Sequence, residues 1–274
     1  MRRVLSGFFT GAMFLLAALY LYPLFLVAIN SLKTFAEITA NVVALPSRPT
    51  LDNFRNAFAL MQYPSLFANT LAATAIGTSG VVLLSSAAGY KLSRTKTRYS
   101  WLVLVLCIAP MMIPFQSFMI ALVKVSRFLR LTKSVYGLGV IYWGLGVPLS
   151  LFMYHGFVKT VPRELDECAL IDGSSSLRTF FAVIFPVLKP VTVSVIVLNA
   201  MWMWNDFLLP LLVLSGEKRS QTLQLAAYNF FGQYKIEWHY AMAGVLLTIT
   251  PAIIFYLALQ KHIIEGMVAG AVKG

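Results

Sequence analysis

Along the chain, apolar positions gather into six long runs, at about residues 8–32, 66–90, 100–123, 135–158, 190–213 and 241–260. Each matches or exceeds the roughly 20 residues that a helix needs to cross a hydrocarbon core of about 30 Å. In lipid the backbone N–H and C=O groups find no water, so runs of this length predict helices. The pattern therefore predicts an all-α integral membrane bundle of six transmembrane helices. We find no internal repeat, low-complexity tract or linker, and we read residues 1–274 as one transmembrane domain. The start, Met1-Arg2-Arg3 before an apolar run, resembles a signal peptide. The run is too long for one, however, and no small-residue cleavage site closes it, so it is expected to be a first, uncleaved span.

The polar interruptions differ in character. In the segment 33–65, Leu51, Phe54, Phe58 and Met61 recur at helical spacing and predict one apolar face of a short helix. Asp52 near its start suits the helix dipole. Such a helix lies on the membrane or on the protein, or binds a partner directly. The segment 214–240 is rich in aromatics (Tyr228, Phe230, Phe231, Tyr234, Trp238), which either anchor at an interface or dock an external partner.

The interruption at 159–189 has internal design. Pro162 suits a first helical position. Glu164, Asp166 and Glu167 place negative charge in the first turns, where the dipole favours it. Asp172-Gly173 is a stop signal, because glycine accepts the left-handed conformation that ends helices. The serines at 174–176 can cap a second helix, through Phe180, Phe181 and Ile184 to Pro186. Two short helices joined by a tight turn between two spans suit mechanical coupling, and the small Cys168 and Ala169 permit close approach to a partner. A structured loop with no partner explains the same residues.

Composition sharpens the membrane reading. Apolar residues make up 59% of the chain and charged residues only 12%, against about 25% charged in soluble domains. The net charge of +12 sits in short loops between apolar runs, which points to anionic head groups and acidic protein surfaces rather than nucleic acid. With the N-terminus inside, inner segments hold 12 Lys and Arg and outer ones 10, so charge bias does not orient the chain. The cluster Lys91, Arg94, Lys96, Arg98 favours that orientation, and Lys124, Arg127, Arg130, Lys133 opposes it. Cys107 and Cys168 lie far apart and resemble neither a disulfide framework nor a metal site.

One pattern in the 159–189 loop resembles a known family. Permeases of ABC importers carry Glu-Ala-Ala, three residues, Gly, nine residues, Ile, any residue, then Leu-Pro. At that spacing this chain has Glu167-Cys168-Ala169, Gly173, Val183, Phe185 and Pro186, with apolar exchanges at three positions. The motif Trp204-Asn205-Asp206-Phe207-Leu208-Leu209-Pro210 and the terminal Gly266–Gly274 are similar to the MalG-type sugar permeases, so the resemblance covers nearly the whole chain. It implies the type I ABC importer permease fold. It also implies a coupling helix at 162–186 seated on a cytoplasmic ATPase subunit, with Glu167, Cys168, Ala169, Asp172, Gly173 and Pro186 as the coupling residues. The tail 261–274 would reach between the ATPase subunits. The implied partners are a second, MalF-like permease, two ATPase subunits and an extracytoplasmic sugar-binding protein, in a bacterial inner membrane with both termini cytoplasmic. No cofactor is expected on this chain, since ATP and Mg would sit on the ATPase partners.

Other candidates for chemistry are few. Asn205-Asp206 interrupts an apolar run, and an intramembrane charge usually faces a cavity or partner. With Trp204, these residues are candidates for the sugar path or the contact with the second permease; hydrogen bonding between helices is the plainer alternative. Trp143, Tyr154, Trp202 and Trp204 could stack on a sugar, pack between helices or mark the interface. Gly77-Thr78-Ser79-Gly80 matches the serine motif of rhomboid-type proteases, but the three histidines fall at or beyond span ends, which leaves the serine without a base. Small residues inside a span permit close helix packing instead. No His-Glu-x-x-His and no Gly-x-x-x-x-Gly-Lys-Ser/Thr occurs, so neither a zinc protease nor an ATPase is expected, nor any catalytic or metal site. A secondary transporter, or a permease of the same architecture for a non-sugar solute, is the rival reading.

Overall fold

A computed structural model describes residues 2–231 and 237–271, with side chains from Phe8 onward other than Leu259 and those after Gln260. Tyr234, residues 272–274 and the side chains of 261–271 in the tail lie outside the described residues. The described chain is helical, without a strand. In order the helices are α1 (Arg2–Ser31), α2 (Phe35–Ala40), α3 (Asp52–Leu60), α4 (Tyr63–Arg94), α5 (Arg98–Ile108), α6 (Phe115–Phe128) and α7 (Val135–Val158). There follow α8 (Glu164–Ile171), α9 (Ser176–Arg178), α10 (Phe185–Val187), α11 (Lys189–Asn205), α12 (Leu208–Leu214), α13 (Leu223–Tyr228) and α14 (Trp238–Ala271). Four helices are long and apolar enough to cross a membrane as single rods: Phe8–Ser31, Tyr63–Arg94, Val135–Val158 and Trp238–Ala258. Two bent pairs, Arg98–Met112 with Phe115–Phe128 and Ser176–Val187 with Lys189–Asn205, bring the number to six if each is one span. The protein is a multi-pass membrane protein.

The bends correct two of the six expected straight spans. The run 100–123 is α5 and α6, turned by 109° at a short 3-10 segment, Ala109–Met112. Pro110 and Pro114 are the cause. Neither has an N–H to donate, and Ile113 is extended, as a residue before proline prefers. The run 190–213 is likewise divided, into α11 and α12, at an extended Asp206. On its other side α11 joins the 159–189 loop through a 79° bend at Leu188, between Pro186 and Pro190.

The chain forms two compact units, Met1–Pro64 with Leu223–Pro251, and Ser65–Thr222 with Ala252–Gly274. In the first, the end of α1 is a buried polar corner. Lys33, 1% exposed, donates to Asn30 Oδ1 (3.0 Å) and to the carbonyls of Asn41 (3.1 Å) and Val42 (3.2 Å), so all three ammonium protons have acceptors. Asn53 donates to the carbonyls of Ser31 (2.8 Å) and Lys33 (2.7 Å). The expected face of α3 is buried within the chain only at Met61: Phe54 is half-buried, Leu51 and Phe58 are exposed, and the buried stripe is Asn53, Ala57 and Met61. Two free carbonyls at a helix end need donors, and meeting that need turns Asn53 inward at the expense of Leu51. On α2, Thr34 and Glu37 form a reciprocal capping box.

In the second unit, α4, α7 and α11 pack through small residues and polar ties. A Cβ at Gly80 would lie 2.0 Å from Trp143 Nε1, which donates to the Ile76 carbonyl (2.8 Å). The stretch 77–80 is therefore a close-packing site between α4 and α7. Asn199 bonds Ser150 (2.9 Å), and Tyr154 bonds Thr192 (3.0 Å), each joining α7 to α11. Leu138, Leu151, Val158, Ile184, Leu188 and Val195 complete a fully buried core.

Candidate functional site

Helix α8 ends where the sequence placed a stop. Ser174 N–H bonds the Ala169 carbonyl (2.9 Å) and Gly173 N–H bonds that of Leu170 (3.0 Å), which is the Schellman pattern. Gly173 has φ +74°, a conformation that costs a residue with a Cβ about 1 kcal/mol or more. The start differs from expectation. Pro162 lies before the helix, which begins at Glu164 after Arg163. The second arm is not one short α-helix either. Ser175 alone caps it, accepting from Arg178 N–H (3.4 Å), and α9 then gives way to a π-helical turn, Thr179–Ile184, before α10. Pro186 lacks the donor that a continuous helix would need there, and a π turn relaxes the ladder just before it.

What holds the loop comes from α4. Tyr90 and Arg94, one turn apart on one face, both reach Asp166. Tyr90 Oη donates to its Oδ1 (2.5 Å), and the Arg94 guanidinium pairs with Oδ2 (2.8 Å). Arg94 also donates to the carbonyls of Val158 (3.4 Å), at the end of α7, and of Val161 (3.1 Å) and Pro162 (3.4 Å), in the turn to α8. Phe180 of the second arm, 4% exposed, packs on Tyr90 with ring centroids 5.4 Å apart. The last turns of α4 thus grip both arms. Sequence reasoning missed this grip: it gave Asp166 to the helix dipole and Arg94 to a charge cluster. The available signal was Tyr90 and Arg94 four residues apart at the end of an apolar helix.

The outer face of the loop is left open. Glu167, Cys168, Asp172, Gly173 and Pro186 are exposed, while Ala169 is buried inside the chain. Beside them Leu170, Ile171 and Leu177 are exposed by 72%, 84% and 72%. Three large apolar side chains in the open, rimmed by the carboxylates of Glu164, Glu167 and Asp172, form a small surface suited to a partner with an apolar groove and basic edges.

The interruption at Asp206 is a second cluster. Tyr142 Oη donates to its Oδ2 (3.0 Å), and Leu208 N–H donates to Oδ1 (3.2 Å), so the carboxylate caps the break between α11 and α12. Asp206 and Trp202 share a cavity of about 320 Å³ with Pro110, Phe115, Gly144 and Pro148. Trp202 meets Tyr142 edge to face at 5.4 Å. The other two candidates are elsewhere. Trp204 is buried against Phe67 (5.5 Å), and Asn205 is exposed, bonded back to the Met201 carbonyl (2.8 Å). No group of three metal-ligating side chains occurs among the described residues.

Comparison with known proteins agrees with this architecture. Residues 80–268 match the family described as "Binding-protein-dependent transport system inner membrane component". The chain is 40% identical to the "Probable starch degradation products transport system permease protein AmyC" of Thermoanaerobacterium thermosulfurigenes, over 94% of this chain and 93% of that one. It is 37% identical to the "Multiple sugar-binding transport system permease protein MsmG" of Streptococcus mutans, over 93% and 92%. To the "Melibiose/raffinose/stachyose import permease protein MelC" of Bacillus subtilis it is 31% identical, over 95% and 94%. A solved structure, a bacterial ABC transporter involved in the import of the acidic polysaccharide alginate, contains a chain of the same fold. The TM-score is 0.79, with 94% of this chain and 96% of that one covered at 18% identity.

Proposed function

The chain belongs to the family of binding-protein-dependent transport system inner membrane components, and on that premise we propose that it is the permease subunit of an ABC importer for a di- or oligosaccharide. A second permease completes the pathway, two ATPase subunits drive it, and an extracytoplasmic binding protein delivers the sugar. ATP and Mg stay on the ATPases, and this chain catalyses no reaction. Both termini and the 159–189 loop face the cytoplasm of a bacterial cell. The observation that carries the reading is the loop itself: an exposed apolar surface on α8, turned by Gly173 and tied at Asp166 to a spanning helix. A pull on α8 is transmitted to α4 through that tie, and rigid helices rocking about a midplane site give alternating access. The carbohydrate named in each of the three relatives supports the solute class.

The test is co-purification from detergent-solubilised native membranes, wild type beside Gly173→Pro. Proline fixes φ near −65° and cannot reach the +74° of the turn. Wild type is expected to bring down an ATPase and a second permease, and the mutant to lose the ATPase. Wild type that comes down alone and transports sugar in vesicles without ATP sinks the proposal.

A further inference from the structure

Beside the loop, on the same end of the second unit, lies a cavity of about 950 Å³ between the α4–α5 turn and the α7–α8 turn. Its charged lining is Arg94, Lys96, Lys159 and Arg163 against the single carboxylate of Glu164. Asp166 answers Arg94. Among the described residues Lys96, Lys159 and Arg163 form no ion pair, and all three are exposed. The N-terminus of α5, after Thr97, adds positive potential, whereas that of α8 is already met by Glu164, Asp166 and Glu167. Ser93, 7% exposed, lines the cavity with its hydroxyl buried and without a hydrogen-bond partner among the described residues. The wall is partly apolar: Trp101, 65% exposed, and Leu104 line it from α5, and the same helix also exposes Leu102, Val105 and Leu106.

We propose that this cavity is a binding site for an anionic phospholipid, its phosphate among Lys96, Lys159 and Arg163 and its acyl chains along α5. A basic recess opening onto an apolar helix at the level of a tryptophan has the chemistry of a head-group site, because the ligand must satisfy both surfaces. A soluble phosphate has no use for the exposed α5 face, and an acidic protein segment would leave that face bare. The site needs only that the chain spans a membrane, so it stands or falls apart from the ATPase partnership. A lipid here braces the junction from which α8 springs.

The test is native mass spectrometry of the full chain, with its co-purifying partners, released from micelles doped with phosphatidylglycerol or phosphatidylcholine. Wild type is expected to retain phosphatidylglycerol over phosphatidylcholine by roughly tenfold, on the scale of the attraction of a few basic side chains. Lys96→Gln with Lys159→Gln brings the two lipids near parity, whereas Lys96→Arg with Lys159→Arg keeps the preference, which separates charge from misfolding. Lys218→Gln with Arg219→Gln, in a different loop, leaves it unchanged. The proposal fails if wild type shows no preference, or if the preference survives the paired Gln change. It also fails if millimolar inorganic phosphate abolishes it, which would point to a soluble phosphate ligand.

Discussion

The corner at Asn30–Asn53 and the loop at 159–189 both follow the end of an apolar helix, and both are rich in polar groups. The corner uses its polar groups on itself. Lys33 and Asn53 are 1% and 4% exposed and answer the carbonyls around them, while Leu51 is left outside. The loop does the reverse. It engages one carboxylate, Asp166, and leaves Leu170, Ile171 and Leu177 in the open. Buried polar groups with matched partners specify one geometry, which suits a fixed corner. Exposed apolar groups on a tethered helix have no internal reason to be there, which suits a surface that meets another protein. Polarity alone does not tell a brace from a docking surface; where the polar atoms find their partners does.

The comparison breaks first, and hardest, at Asn53. Hydrophobic patterning favours Asn53→Leu, since the position is buried. The structure predicts the opposite, a loss of about 2–4 kcal/mol, because two buried carbonyls lose their donors. Thermal unfolding in detergent, followed by size-exclusion of the surviving protein, reads the effect; equal or greater stability would refute the role of the corner. Next is Arg94→Met. The pair with Asp166 is 15% and 21% exposed, so a loss of about 1–3 kcal/mol is expected rather than the larger cost of a fully buried pair. Its sharper signature is functional: the ATPase should still co-purify, while ATP hydrolysis no longer drives uptake. Uptake at the wild-type ratio to hydrolysis would show that α4 does not transmit the motion.

These residues also mark the limit of what the sequence made legible. The loop could be read because its signals are local. Asp172-Gly173 stops a helix wherever it stands, and the spacing from Glu167 to Pro186 needs no tertiary information. The six runs could be read because lipid requires a helical period over a set length. The bends at Pro110 and Pro114 escaped because apolar content continues through them while the hydrogen-bond ladder does not, and that at Asp206 because two polar residues are too short an interruption to end an apolar run. The grip of Tyr90 and Arg94 on Asp166 joins residues more than 70 apart in the chain, and no local pattern encodes it. The inward face of α3 escaped for a related reason: the carbonyls that decide it belong to the end of α1 and the turn after it.

A smaller effect on the fold, with a large one on assembly, is expected from Leu170→Ser with Ile171→Ser. Both side chains are exposed, so unfolding should shift by no more than about 0.5 kcal/mol. Co-purification of the ATPase should weaken by roughly tenfold or more if these residues are central to the contact. A stable variant that retains the ATPase in full would make the exposed apolar surface of α8 a lipid contact instead.

The smallest effect sharpens the corner's side of the comparison. Glu37 accepts from Thr34 N–H (3.0 Å) and Ser47 N–H (3.1 Å), and these bonds, Thr34's first, hold its carboxyl below the usual value of 4.5. The unfolded chain therefore takes up the proton at higher pH than the folded one. The stabilisation is whole above the ordinary carboxylate range and drains away as pH falls through the lowered folded value. Glu37→Gln should melt slightly below wild type at neutral pH, and the gap should close on acidification below about pH 4. A gap that stays constant with pH would mean that the capping geometry, which glutamine can largely reproduce, matters at this position and the charge does not.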